Sequence, residues 1–143
     1  IEVENGHLLS KHPDKCRFPH GHTRKVELVF EADTLDDHEM VFDFKMVKHM
    51  VEEFIETYDH ALCMNTADPK YEFFKDAYGD RIIGFENLDP TTEVMAKTIF
   101  DHTSAQLAHH VNNPDDEYPV RAECRLKVVR IWETTSSWAE YSV

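Results

Sequence analysis

The sequence predicts an α+β fold, an antiparallel sheet with two helices on one face. Three observations carry this. Residues 24–31 alternate polar and apolar, with Val26, Leu28 and Phe30 in one phase, as a half-buried antiparallel strand does. Two segments, 44–58 and one opening at Asp89-Pro90, place apolar residues at helical spacing. Strand-like segments come in runs before and after the helical pair, an order that separates sheet from helices rather than interleaving them.

Each element follows in turn. Ile1 to Leu9 reads as a first strand, interrupted at Asn5-Gly6 in the manner of a bulge or bend. Residues 10–21, rich in Pro, Gly, His and charge, read as a loop, and Arg24 to Glu31 as the second strand. Asp33 to Glu39 is an acidic turn, and Met40 to Phe42 a short extended run. Phe44, Val47, Val51, Phe54, Ile55 and Tyr58 mark the apolar stripe of the first helix. Residues 65–89 read as a long connection holding Tyr71, Phe73, Phe74 and Phe85; such a length in a compact domain implies a function or structure of its own. Asp89 suits the N-cap and Pro90 the first position of the second helix. Met95, Ala96, Ile99, Phe100 and Leu107 give that helix its apolar face, and 112–119 ends it. Val120 to Glu133 reads as a long strand and Trp138 to Val143 as its hairpin partner.

With 143 residues the chain supports one sizeable core, so residues 1–143 are expected to form a single domain. Lys and Arg total 15 against 28 Asp and Glu, a formal charge of −13, which argues against a nucleic-acid partner. An anionic substrate then requires a local cluster of cations set against the global field. No apolar run approaches a membrane span, and no charged-then-apolar segment opens the chain as a signal peptide does. Cys16, Cys63 and Cys124 are odd in number and widely spaced; they do not form a disulfide framework and predict a reducing cytoplasm.

The chemistry concentrates in CRFPHGH, residues 16–22. His20 and His22 are two apart on a strand, so they share a face, and Gly21 between them is expected to leave that face uncrowded. Imidazole suits zinc, and His7 on the preceding strand would lie opposite the pair. Three His ligands leave a fourth position open for substrate, as catalytic zinc sites do. In a chain with ten histidines, however, an HxH pair also arises by chance. Cys16 has two readings. With Lys15, Arg17 and His20 as neighbours it is a candidate thiolate, or it is a fourth ligand of a structural site. Cys63 and Cys124 read as small buried hydrophobes. Asp59-His60 is a base-and-orienter pair or simply a helix end. Glu93 in Thr91-Thr92-Glu93 is favourable at a helix start. Glu133 ends an apolar strand, where a carboxylate demands a partner: a basic residue, or the N–H donors of a heterocyclic ligand.

In order along the chain, Gly6-His7-Leu8, Cys-x-x-x-His-Gly-His at 16–22, Met40 to Phe44, Asp59-His60 with Asn65, Pro90 to Glu93 with Ala96, and Trp132-Glu133-Thr134 resemble one family. It is that of the 6-pyruvoyltetrahydropterin and 6-carboxytetrahydropterin synthases. The resemblance implies a tunnelling fold, a four-stranded antiparallel sheet with two helices on one face. It also implies homo-oligomers, trimers stacked as hexamers, with active sites between subunits. It casts His7, His20 and His22 as zinc ligands, Cys16 as the catalytic thiolate, and Asp59 and His60 as its proton relay. Glu133, helped by Thr91, Thr92 and Glu93, would anchor the pterin ring. The implied reaction is a zinc-dependent lyase step on 7,8-dihydroneopterin triphosphate. Lys15, Arg17, Arg24 and Lys25 are the candidates to receive the triphosphate.

The three-residue gap between Cys16 and His20 resembles the bacterial 6-carboxytetrahydropterin synthases of the queuosine and deazapurine pathway. The alternatives are a 6-pyruvoyltetrahydropterin synthase, a tunnelling-fold protein that binds a pterin or purine without turnover, and a structural His-zinc protein. Asn5-Gly6 departs from the small-residue pair usual before the first His, Asn65 is displaced by one, and residues 61–89 are longer than in compact members.

Overall fold

The computed structural model describes residues 1–143. Its elements are β1 (Glu2–His7), β2 (His20–Glu31), α1 (45–56), β3 (Ala61–Asn65), α2 (Tyr71–Tyr78), β4 (Ile82–Phe85), α3 (Thr92–His110), β5 (Arg125–Trp132) and β6 (Trp138–Ser142). One sheet runs in the order β4-β3-β1-β2-β5-β6. The expected antiparallel four, β1-β2-β5-β6, form its main part. The α+β class holds, but the sheet is wider than expected. Residues 65–89 are not an open loop: β3 and β4 add parallel to β1, with α2 between them.

Period-2 alternation decides what each face carries. Val3, Asn5 and His7 of β1 are buried, as are Arg24 and Val26 of β2. That face meets Met46, Met50, Val51 and Ile55 of α1 and Met95, Ala96, Ile99 and Phe100 of α3 in the main core. Burying side chains like these contributes about 1.5–3 kcal/mol each. The first helix is regular over Lys45–Val47, opens to a π turn over Lys48–Glu52, and closes again over Glu53–Glu56. The wider turn lets the consecutive residues Met50 and Val51 both reach the core. On the other face, α2 lays Tyr71 and Phe74 against Leu8, Met64 and Ile82. This contact is close: a Cβ on Gly84 would stand 2.6 Å from the Tyr71 hydroxyl.

The cap of the long helix differs from expectation. Thr91, not Asp89, is the N-cap of α3, its hydroxyl accepting from the Val94 N–H at 3.2 Å. Asp89 is buried and binds elsewhere. It accepts from the Ser10 hydroxyl (2.6 Å), the Lys11 N–H (2.7 Å) and the Asn65 amide (3.0 Å). A buried carboxylate needs that many donors, and they tie the loop after β1 to the start of α3. The last long strand begins at Arg125 rather than Val120, which makes an isolated bridge to Val111.

Candidate functional site

Antiparallel register places His7 directly across from His20, and Asn5 across from His22. The three imidazoles therefore converge, with ring centroids 4.5, 5.2 and 5.2 Å apart. One nitrogen from each lies within 4.8 Å of the other two. Gly21 does not clear this face, contrary to expectation. It points to the opposite side, where it opposes Gly6 and lets two backbones approach.

The hydrogen bonds fix which nitrogens are free. His20 Nδ1 lies 2.8 Å from the Phe18 carbonyl, and His7 Nδ1 2.8 Å from the Pro90 carbonyl. A carbonyl only accepts, so both Nδ1 atoms carry the proton and both Nε2 atoms keep a lone pair. Arg24 Nη2, 3.1 Å from His7 Nδ1, is then a close positive neighbour rather than a donor to it. His7 Nε2 and His22 Nε2 are buried without any hydrogen-bond partner. Burial, and then the Arg24 charge, pull the His7 pKa down to about 4 against the Pro90 hydrogen bond, so the ring is neutral near pH 7. Burial also lowers that of His22. Buried, unpartnered, neutral imidazole nitrogens aimed at one point fit a divalent cation such as zinc.

Behind the histidines lies a polar network that the sequence reasoning largely missed. Arg24 is wholly buried, at 0% exposure. Its Nε donates to Asn5 Oδ1 (3.1 Å), and Nη1 donates to the Thr92 hydroxyl (3.1 Å) and to Glu133 Oε1 (3.4 Å). The Thr92 hydroxyl donates to the same Glu133 oxygen. Burial pushes the Glu133 carboxyl up, but the Thr92 hydroxyl and Arg24 outweigh it and hold it below the usual range. One signal was present in the sequence: Arg24 shares the inward phase of Val26 and Leu28.

Cys16, Asp59 and His60 lie outside the histidine cluster. Cys16 sits partly exposed on the short turn Lys15–Arg17, and its sulfur does not join the histidine cluster, so the four-ligand reading fails. Asp59 and His60 do form a pair. Asp59 Oδ1 accepts from the Glu4 N–H (2.8 Å), and Oδ2 meets His60 Nδ1 at 2.7 Å. The Glu4 N–H and then His60 hold the Asp59 carboxyl below its ordinary range. His60 has a left-handed backbone (φ 55°) and an exposed side chain. It lines a groove of about 660 Å³ with Glu4, His22, Thr23, Tyr78 and Arg81. Neither Asp59 nor His60 hydrogen-bonds Cys16 within this chain.

Thr91 spends its hydroxyl on the α3 cap, Thr92 on Glu133, and Glu93 is exposed in the first turn. Cys63 and Cys124 are buried as expected, and burial pushes the Cys63 thiol up to about 11. Among the remaining histidines, His110 pairs with Asp116 at 2.7 Å and His102 stacks on Phe54.

A curled antiparallel sheet backed by helices, with three convergent histidines on its inner strands, defines a tunnelling-fold protein with a candidate metal site. The family model described as 6-pyruvoyl tetrahydropterin synthase matches residues 1–143, and the chain belongs to that family of enzymes. Among curated relatives it is 34% identical over 131 residues to the 6-carboxy-5,6,7,8-tetrahydropterin synthase of Aquifex aeolicus, covering 90% of this chain and 76% of that one. The Rickettsia conorii protein of the same name is 33% identical over 98 residues, 67% of this chain and 70% of that one. The chain is thus a lyase of 6-carboxytetrahydropterin-synthase type. Two solved structures share the fold. An uncharacterized protein of Wolinella succinogenes has a TM-score of 0.78 at 17% identity, covering 99% of this chain and 94% of that one. The Caenorhabditis elegans 6-pyruvoyl tetrahydropterin synthase has 0.64 at 21%, covering 100% and 91%. No helix is long and apolar enough to cross a membrane.

Proposed function

We propose that residues 1–143 act as a single domain and a zinc-dependent lyase converting 7,8-dihydroneopterin triphosphate to 6-carboxy-5,6,7,8-tetrahydropterin. The observation that carries the metal half is the pair of buried, unpartnered Nε2 atoms on His7 and His22 beside His20. The product follows the names of the relatives and the three-residue gap before His20. A cation held by His7, His20 and His22 supplies Lewis acidity toward the substrate's side-chain hydroxyls.

The chain's own residues do the rest. Glu133 accepts from the N–H donors of the pterin ring, with Thr92 fixing its other oxygen. Cys16 as thiolate removes a substrate proton. Asp59 holds His60 Nδ1–H, which leaves Nε2 to pass protons on. Since neither Asp59 nor His60 hydrogen-bonds Cys16 within one chain, a second copy completes the relay, and the working form is a homo-oligomer. Of the four candidate phosphate cations, Arg24 is wholly buried and Lys25 pairs with Glu27 at 3.3 Å. Lys15 and Arg17, on the same turn as Cys16, remain. The placement is a cytoplasmic one in the queuosine and deazapurine route.

The test is incubation of zinc-loaded protein with dihydroneopterin triphosphate and product analysis by mass spectrometry. Carboxytetrahydropterin with acetaldehyde is expected. A pyruvoyl product would move the protein to the sister activity, and tight pterin binding without turnover would make it a binder. Cys16→Ala retaining full turnover would remove Cys16 from its role.

A further inference from the structure

Glu133 stands unusually close to the metal-ligand cluster. Its Oε1 is 3.8 Å from both His7 Nε2 and His22 Nε2. Donors in a tetrahedral zinc site, with bonds of about 2.0–2.2 Å, are themselves little more than about 3.3 Å apart. Carboxylate oxygen is an accepted zinc ligand, and a dication attracts it strongly in a partly buried site. Left alone, Glu133 would be drawn in as a fourth protein ligand. That would close the position the substrate needs and remove the carboxylate from the pterin.

What opposes this is Arg24. It is a full positive charge with 0% exposure, clamped by Asn5 Oδ1 and the Thr92 hydroxyl, so it cannot swing out to solvent. Its Nη1 reaches the same Oε1 that approaches the histidines. Thr92 donates to that oxygen from the helix side. Glu133 Oε2 has no hydrogen bond within the protein, and the side chain is 28% exposed, so one oxygen is restrained and the other is presented. A buried arginine is costly unless its hydrogen bonds are made, and here each one serves this arrangement.

We propose that Arg24 is a positioning residue whose guanidinium holds Glu133 Oε1 away from the three-histidine cluster, keeping the carboxylate free for substrate. This rests on the metal reading above. The test uses Co²⁺ in place of zinc, read by its visible d–d absorption, on wild type, Arg24→Met, Arg24→Lys and the double variant Arg24→Met with Glu133→Gln. In Arg24→Met a carboxylate enters the coordination sphere: the band changes position and intensity. The KM for the pterin substrate rises, and kcat/KM falls by about 10–100-fold, the scale of lost outer-shell support. In the double variant the neutral amide is not drawn in, and the wild-type band returns. Arg24→Lys keeps the charge and lies between the two.

Thr92→Val removes the second donor while leaving Arg24 in place, and shifts the band the same way by less, so the test survives if Arg24→Met does not fold. Bands identical in wild type, Arg24→Met and Thr92→Val overturn the positioning role while the metal reading stands. A band shift that persists in the double variant overturns it too, since the cause is then general loosening. No Co²⁺ band in wild type overturns the metal reading and this role with it.

Discussion

His7 makes the metal-free protein acid-sensitive in a definite window. Its ring is 1% exposed, and its pKa falls from 6.5 to about 4 on folding, chiefly through burial. A folded pKa below the unfolded one means that the unfolded chain binds the proton first. Stability is therefore full above about pH 6.5 and is lost as pH falls toward 4. The two pKa values give a total of about 3 kcal/mol, of which about 2 kcal/mol is lost between pH 7 and pH 5. Set against a typical stability of about 5–15 kcal/mol, that is large enough to measure.

The assay is urea unfolding in the presence of chelator, from pH 7 to pH 4.5, for wild type and His7→Asn. Asn does not titrate, and its amide N–H can replace His7 Nδ1–H toward Pro90. His22 shifts in the same direction, and the paired carboxylates titrate in both proteins, so they cancel in the difference. Wild type minus variant is expected to fall by about 2 kcal/mol between pH 7 and pH 5. Parallel curves would refute the argument, for they would mean that His7 binds its proton equally in both states. Zinc at 100 times its Kd adds about 2.7 kcal/mol at neutral pH, and that increment too disappears on acidification.

Three further outcomes are expected. Replacing Lys15 and Arg17 together by Gln raises KM for the triphosphate substrate severalfold and weakens its salt dependence, with little change in Tm because neither makes a carboxylate ion pair; steady-state kinetics at two ionic strengths checks this. Gly84→Ala forces the Tyr71 hydroxyl away from β4 and costs about 1–3 kcal/mol by denaturant unfolding, part of which Tyr71→Phe in the same chain restores. Thr91→Ala removes the α3 cap, with a loss of about 1 kcal/mol and no change in metal binding.

The convergence of His7, His20 and His22 was legible because strand alternation has a period of exactly two residues on a paired antiparallel ladder, and the observed register aligns His7 with His20. The parallel strands Ala61–Asn65 and Ile82–Phe85 were not legible, because short apolar runs carry no period that distinguishes strand from loop. The Asp89 cap failed for a different reason. Asp-Pro is a sound local signal, but Asp89 is recruited by Ser10, Lys11 and Asn65, contacts that no window of neighbouring residues contains. Arg24 shows the converse. Its inward phase was visible, yet hydropathy alone assigns an arginine to solvent, and only its partners Asn5, Thr92 and Glu133 make burial tolerable.

The sheet also explains why the chemistry is distributed as it is. The histidine cluster holds one buried and two half-buried imidazoles, and the carboxylate nearest them, Glu133, is matched by Arg24. Elsewhere Asp59 is favoured in its ionised form, with the Glu4 N–H and His60 holding it so. Placed beside the histidines, that second carboxylate would compete for the cation and raise the pKa values that burial lowers. Keeping Asp59 out of the histidine cluster avoids that conflict within the chain.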